Sequence, residues 1–531
     1  MVNDNLTIMN KMNIKYMGAA ALLLAALFTG CTSDDSDYGT PGKTFINLSG
    51  IDESYSVETH GTDKLVINPQ ISSSFADDDL EYTWIYYLTS KGHYSEYDAS
   101  TNTYTYPEAD TLSHSRALDE ALSLPDGQYT LVYTVTSKST GYSQSFKTSL
   151  NTASALANGF YVLKENSEGN TDIDLYNPTK KTLAANLLTV NQGKAMAGKP
   201  RSMDVAYDMG FIDANNNKAG TNSLLLTTES DNMQFMSLQD GQAFLNPANI
   251  HYNEVPGEKV YRVVGSFYFN FLVTSNGVYT GSSASQGGTG VFGANSGDGA
   301  SVHVAPGGGN SFYALAFWSD AAHAIEAVDY NGASIPVNSS VDGYTAEVPN
   351  AICIDCGHCE AGMGDSYFIL QDKNDASKKW LYTVNIGRTR ATITDVRAIS
   401  ADTHFAKASV RAINSLTATI GYAVDGNKLY SYNLAQETAE KELTLQGLPS
   451  DETITFVSNR YYAGTPSFDY LVIGTQKGNG YHLYFYQMIG GEPVGVPVFD
   501  FAGEGKLKSL GYVNSSSKTG TDATLMPVLD E

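Results

Sequence analysis

From Gly159 onward, short apolar runs recur with polar turns between them. Phe160–Leu163, Leu224–Leu226, Phe271–Val273, Tyr313–Trp318, Tyr367–Leu370, Ile420–Val424 and Tyr470–Ile473 each open one unit. Gly169–Asn170, Asn276–Gly277, Asp425–Gly426 and Asn479–Gly480 supply turns, followed by strands rich in Tyr or Leu. Successive units begin 64, 47, 42, 54, 53 and 50 residues apart. A hairpin with Asn-Gly or Asp-Gly turns repeating about every 50 residues is the pattern of propeller blades. A blade cannot bury both faces alone, and radial stacking covers them while leaving only short edges. Seven starts predict six to eight blades over 159–531.

Upstream, residues 44–155 read differently. Leu80, Tyr82, Trp84, Tyr86 and Leu88 share one face of a period-two strand, with Glu81 and Thr83 on the other. Tyr129, Leu131, Tyr133 and Val135 form a second such face after the turn Pro125-Asp126-Gly127. An aromatic strand with a central Trp, then Asp-Gly-x-Tyr opening a later strand, predicts an immunoglobulin-like sandwich with Trp84 and Tyr129 in its core. The expected fold is therefore all-β: an N-terminal immunoglobulin/PKD-like β-sandwich followed by a β-propeller. Gly127–Val135 resembles the PKD-like domain of surface lipoproteins, although Trp84 is followed by Ile85-Tyr86-Tyr87 and not by the Gly-Asp-Gly of true PKD domains.

The N-terminus supplies an address. Lys11 and Lys15 precede an apolar run from Met17 to Phe28, too short to span a bilayer but flanked as a secretory signal is. Phe28-Thr29-Gly30-Cys31 resembles a bacterial lipobox, with Phe28 where Leu is usual. Residues 1–30 are expected to be a lipoprotein signal peptide, with translation starting at Met12, and 31–43 an acylated cysteine and linker. Diacylglycerol on the Cys31 thiol plus an N-acyl chain such as palmitate would give stable anchoring, at about 0.8 kcal/mol per buried methylene. Thr32–Asp37 resembles the acidic export tag of lipoproteins displayed on the outer membrane by gut anaerobes with Sus-type importers.

Charge narrows the partners. The chain of 531 residues carries a formal net charge of −25, which excludes the basic surface that nucleic-acid binding requires. Its 35 Tyr and 49 Gly suit β structure with many turns.

Candidate chemistry centres on Cys353-Ile-Asp-Cys356-Gly-His358-Cys359, which holds every cysteine except Cys31. The spacing admits one disulfide with a spare thiol, a zinc site on Cys353, Cys356, His358 and Cys359, or three thiols. Asp213–Lys218 resembles the start of a calcium loop, but Lys218 replaces the required Gly and Leu224 stands where the Glu belongs. The acidic turn Glu168–Asp174 is a second calcium candidate. No cofactor is assigned beyond these possible Zn or Ca sites. Gly288–Gly293 fits GxGxxG without the strand–turn–helix context of a dinucleotide site. The Gly/Ser-rich segment Gly281–Asn310 is expected to be a long rim loop. No catalytic residue is identified.

The whole resembles the PKD-like family lipoproteins that accompany Sus-type, TonB-dependent importers. That resemblance implies an accessory subunit that binds or presents oligopeptide or oligosaccharide, partnered by the outer membrane, a TonB-dependent channel and its lipoprotein lid. The alternatives are a propeller-based surface hydrolase or lyase acting on the same polymer, and a structural or adhesive module.

Overall fold

The computed structural model describes residues 44–514, apart from 61–62, 91–95, 99–102, 106–108, 266–268, 294, 307–313, 360–364, 437–439 and 463–466. The expected signal peptide and Cys31 lie outside the described residues.

The N-terminal unit is a five-stranded sheet in the order Ser54–Thr59, Ser143–Ser154, Gly127–Ser137, Leu80–Leu88, Asp110–Ser113. Short ladders, Ile46–Ser49 with Gln70–Ser73 and Leu65–Ile67 with Leu118–Glu120, share its core. The two aromatic strands pair in register, placing Trp84 opposite Tyr133 with ring centroids 4.1 Å apart. Both rings are buried, so their polar ends need partners. Trp84 Nε1 donates to the Ser115 carbonyl at 3.0 Å and the Tyr133 hydroxyl to that of Arg116 at 3.0 Å. Tyr129 donates to the Pro125 carbonyl four residues upstream, at 3.0 Å, which pins the turn that opens its own strand.

After Gly159 the chain builds, among the described residues, seven sheets of four antiparallel strands. The fifth carries Val337–Ser339 as an added parallel edge. Blade 1 is closed by the C-terminal strand: Lys506–Val513 pairs antiparallel with Gly159–Glu165, whose other edge pairs with Thr171–Asn177. The innermost strands of blades 1 to 7 are Lys506–Val513, Pro200–Ile212, Val260–Gly265, Ala300–Pro306, Ala351–Cys359, Val410–Ala412 and Thr453–Tyr462. Inner strands of neighbouring blades meet around the ring, and between blades 5 and 6 the contact is made just past the inner strand, where the His358 amide bonds to the Ile413 carbonyl. The ring therefore closes, and closure removes the exposed edges that an open array of sheets would present.

Seven cores hold the seven blades together, one between each neighbouring pair. The apolar runs read from the sequence are the second strands of the blades, and successive residues serve different cores. Leu224 and Leu226 enter the core between blades 1 and 2, whereas Leu225 enters that between 2 and 3. Phe317 faces blade 3 and Trp318 faces blade 5. Strands buried on both faces need apolar side chains at every position, which is why these runs do not alternate. Each fully buried Leu or Phe contributes roughly 1.5–3 kcal/mol.

The segment 281–310, expected as one long loop, is largely built into blades 3 and 4. It forms a turn at Ala284–Gln286, the edge strand Asn295–Ser296 and the inner strand Ala300–Pro306. Its glycines mark close packing: a Cβ on Gly288 would lie 1.9 Å from the Ser282 carbonyl oxygen. Among the described residues no helix follows Gly293, so the GxGxxG match lacks the strand–turn–helix context of a phosphate site.

The junction between unit and ring is short and tied at several points. Ser154 caps the turn Ala155–Ala157 by accepting from the Leu156 amide, and its own amide reaches Asp126 at 2.5 Å. Leu156 is buried in the core between blades 1 and 2. Gly159, at φ +136°, brings the chain within reach of Tyr176, whose carbonyl oxygen a Cβ would meet at 2.4 Å. Lys180 of blade 1 bridges back to Glu58 and Asp63 at 2.8 and 3.1 Å.

Candidate functional site

The inner strands of blades 4, 5, 6, 7 and 1 surround a cavity of about 410 Å³ in the central channel. Val302 and His303 come from blade 4, Ile354, Asp355 and Cys356 from blade 5, and Val410, Arg411 and Asn414 from blade 6 and the residues after its inner strand. Phe456 and Val457 come from blade 7, and Leu507 and Lys508 from blade 1. Such a volume lies toward the lower end of the roughly 300–1,000 Å³ usual for ligand pockets.

Two local devices place the central charges. A register shift between Cys353 and Asp355 interrupts the period of two in the inner strand of blade 5. Cys353 and Cys356 consequently share the core between blades 4 and 5, and Asp355 turns toward blade 6. Arg411 is held by the short helix His404–Lys407: its Nε donates to the Phe405 carbonyl at 2.8 Å and its Nη2 to that of Ala406 at 3.3 Å. Its guanidinium carbon lies 5.8 Å from the Phe405 ring centre. The remaining end, Nη1, stands 3.7 Å from Asp355 Oδ2. Burial lowers the Arg411 pKa from its ordinary value, against the attraction of Asp355. Guanidinium is so basic that it stays charged.

The channel walls contain two more buried arginines. Arg262 of blade 3 clasps Asp204 of blade 2 with Nε at 3.0 Å from both oxygens and Nη2 at 2.7 Å from one, while the Val263 amide adds a bond at 2.9 Å. Arg460 of blade 7 donates to Ser458 and to the Leu510 carbonyl of blade 1. Burial first, then the proximity of Arg262, pushes its pKa down.

The residues singled out from the sequence are distributed as follows. Cys353, Cys356 and Cys359 are all buried thiols on one strand, the first two in the core between blades 4 and 5 and the third in that between 5 and 6. Their Sγ atoms bond to the carbonyls of Asp355, Val304 and Ile420 respectively. His358 Nδ1 lies 3.2 Å from Ser366 Oγ. The strand thus sends the three sulfurs to two different cores. Among the described residues, no three His, Cys, Asp or Glu side chains converge as a metal site would require. Asp213 closes the hairpin turn between the first two strands of blade 2, accepting from the Asn215 and Asn217 amides at 2.9 and 2.7 Å. In the acidic turn, Asp172 accepts from the amides of Ile173 and Leu188 and from the Thr189 hydroxyl. It lines a second cavity of about 500 Å³ with Asn166, Glu168, Lys194 and Glu504, at the rim between blades 1 and 7. Its hydrogen bonds fasten helix Leu187–Gln192 to blade 1, a structural task.

Arg411 was missed in the sequence, where it is a lone cation in Val410-Arg-Ala412, ahead of the sixth apolar run. A charged residue immediately upstream of a blade's most buried strand is a signal that can be sought in such chains.

Fold and site together define a class: a closed seven-bladed β-propeller with a charged cavity in its channel, preceded by a separate β unit. Residues 31–200 match the PKD-like family, a span running from Cys31 through the N-terminal unit and the strands of blade 1 that follow it in the chain. No curated protein matches the sequence. Among solved structures, a quinonprotein alcohol dehydrogenase-like protein from Bacteroides thetaiotaomicron is similar at 13% identity and a TM-score of 0.41, over 87% of this chain and 96% of that one. BamB from Moraxella catarrhalis aligns at 11% identity and a TM-score of 0.29, over 66% and 87%. The WD40 domain of Toxoplasma gondii coronin aligns at 9% and 0.36, over 64% and 82%. At these scores the fold assignment rests on the strand order itself.

Proposed function

We propose that the chain is a surface lipoprotein of the outer membrane, an accessory subunit that binds or presents an oligopeptide or oligosaccharide to a TonB-dependent, Sus-type importer. The observation that carries this reading is the starting point of the PKD-like match: it begins at Cys31, the residue that the lipobox makes the lipidated N-terminus. Twelve residues, 32–43, then tether the anchor to the first described residues of the N-terminal unit. In this reading that unit is a PKD-like sandwich, joined by a tied junction to a ring whose channel offers a preformed cavity. Rings of this kind host many activities, so the fold alone does not choose among them.

Affinity purification of the tagged full-length protein from detergent-solubilised outer membranes, followed by mass spectrometry, tests the assignment. An importer channel and its lipoprotein lid are expected in near-stoichiometric amount. Cys31→Ala is expected to abolish acyl labelling and membrane attachment. Recovery of the protein alone, or unchanged attachment of the Cys31→Ala variant, contradicts the reading. Turnover of a polymer by the purified protein would favour the hydrolase or lyase.

A further inference from the structure

The accessory reading leaves open whether the ligand is a peptide or a saccharide, and the channel cavity discriminates between them. Its lining holds two cations, Arg411 and Lys508, one carboxylate, Asp355, and the imidazole of His303, beside aliphatic side chains that include Val302, Ile354 and Val410. A local excess of fixed positive charge, inside a chain of net charge −25, focuses an attractive field for anions within a low-dielectric cleft. The guanidinium of Arg411 is oriented before any ligand arrives, because two of its nitrogens are committed to carbonyls of the neighbouring helix. Its third nitrogen faces the cavity side, where its 3.7 Å contact with Asp355 is longer than a good charge-assisted hydrogen bond. Among the described residues no Trp or Tyr lines the cavity, and of its two rings Phe456 is also packed in the core between blades 7 and 1, which leaves His303 and no amphipathic phenol or indole for a sugar to stack on.

We propose that the channel cavity binds the C-terminal end of a short peptide. The terminal carboxylate lies between Arg411 and Lys508, the last peptide N–H donates to Asp355, and the last side chain rests on the aliphatic wall. A peptide end offers an anion, a donor and an apolar group within one residue, which matches all three parts of the lining. This inference rests on the accessory reading and names its ligand class.

Calorimetric titration of the full-length, detergent-solubilised protein tests it. The probes are a mixed pool of tripeptides, the same pool with amidated C-termini, acetate, a neutral glucan oligosaccharide and a uronate oligosaccharide. The free-acid tripeptides are expected to bind, with amidation weakening them at least tenfold, acetate binding far more weakly and neither saccharide competing. Lys508→Gln, which keeps most of the aliphatic stem, is expected to weaken the free acids about tenfold and to leave the amides unchanged. Equal binding of acids and amides overturns the proposal, as does tighter binding of either saccharide. Acetate competing as well as the tripeptides reduces the site to a simple anion site and also overturns it. If no probe binds while the importer channel still co-purifies, this inference falls alone. If tripeptides bind and no channel co-purifies, the peptide site stands and the accessory role falls.

Discussion

Two buried ion pairs on the same ring are built to different standards. Within blade 1, on the side facing blade 7, Lys164 Nζ sits 2.6 and 2.8 Å from the two oxygens of Asp174. The same carboxylate accepts from the Asn186 amide at 2.8 Å and from the Tyr481 hydroxyl at 2.7 Å. Burial, and then Asp174, pushes the Tyr481 pKa far above its ordinary value, so the hydroxyl remains a donor. In the channel, Arg411 and Asp355 stand 3.7 Å apart beside open volume. Buried charges are costly unless paired and hydrogen-bonded. The first pair meets that condition within the protein, and the Tyr481 hydroxyl on its carboxylate ties blade 7 to blade 1. In the second, Arg411 adds two carbonyl acceptors, and the pair borders the cavity in which the peptide end is proposed to bind. Burial of charge alone therefore does not mark a functional site; the geometry of the pairing does.

The largest effect expected from breaking this contrast is at the fastened pair. Asp174→Ala leaves a buried ammonium without its partner and is expected to cost about 3–5 kcal/mol, read as a lower urea midpoint, with peptide affinity of the folded fraction unchanged. Arg411→Met removes two hydrogen bonds to carbonyls and is expected to cost about 1–3 kcal/mol while abolishing tripeptide binding. The comparison extends to pH through a third buried pair, His251 with Glu258 at 2.7 Å. Burial would raise the Glu258 pKa, but hydrogen bonds from His251, Tyr279 and Thr274 outweigh it and hold the group below its ordinary 4.5. The unfolded chain then binds the proton more readily, so this contribution is present above about pH 4.5 and is lost as pH falls through the lower folded value. A pH series of urea melts is expected to show that acid limb, flattened in Glu258→Gln. The smallest effect belongs to the junction. Lys180 is 37% exposed, and Lys180→Ala is expected to change stability by less than about 1 kcal/mol in the same melts.

The strands buried on both faces were legible because every position in them must be apolar. All seven runs fall on second strands, although Tyr313 itself lies just outside the described residues. The core roles of Trp84 and Tyr129 were legible from period two, and both are buried. The inner strands were not. Val410–Ala412 is three residues long, and Ala300–Pro306 lies among glycines that disguise it as a loop. The closing strand was invisible for a different reason: Lys506 meets Glu165 across 341 residues, and its alternation names no partner. The cysteine cluster drew attention as chemistry because spacing alone does not reveal that one strand with a shifted register sends its sulfurs into two cores. Asp355 lay within that motif, but its partner is 56 positions away in sequence and adjacent only once blades 5 and 6 stack.

The most direct test of the contrast is the ligand-induced shift in unfolding free energy, measured for the native chain, Asp174→Asn and Arg411→Met with free-acid tripeptide at a hundredfold excess over its dissociation constant for the native chain. Binding to the folded state alone raises stability by about 2.7 kcal/mol under that condition. This rise is expected in the native chain and in Asp174→Asn, and none in Arg411→Met. A full rise in Arg411→Met would contradict it.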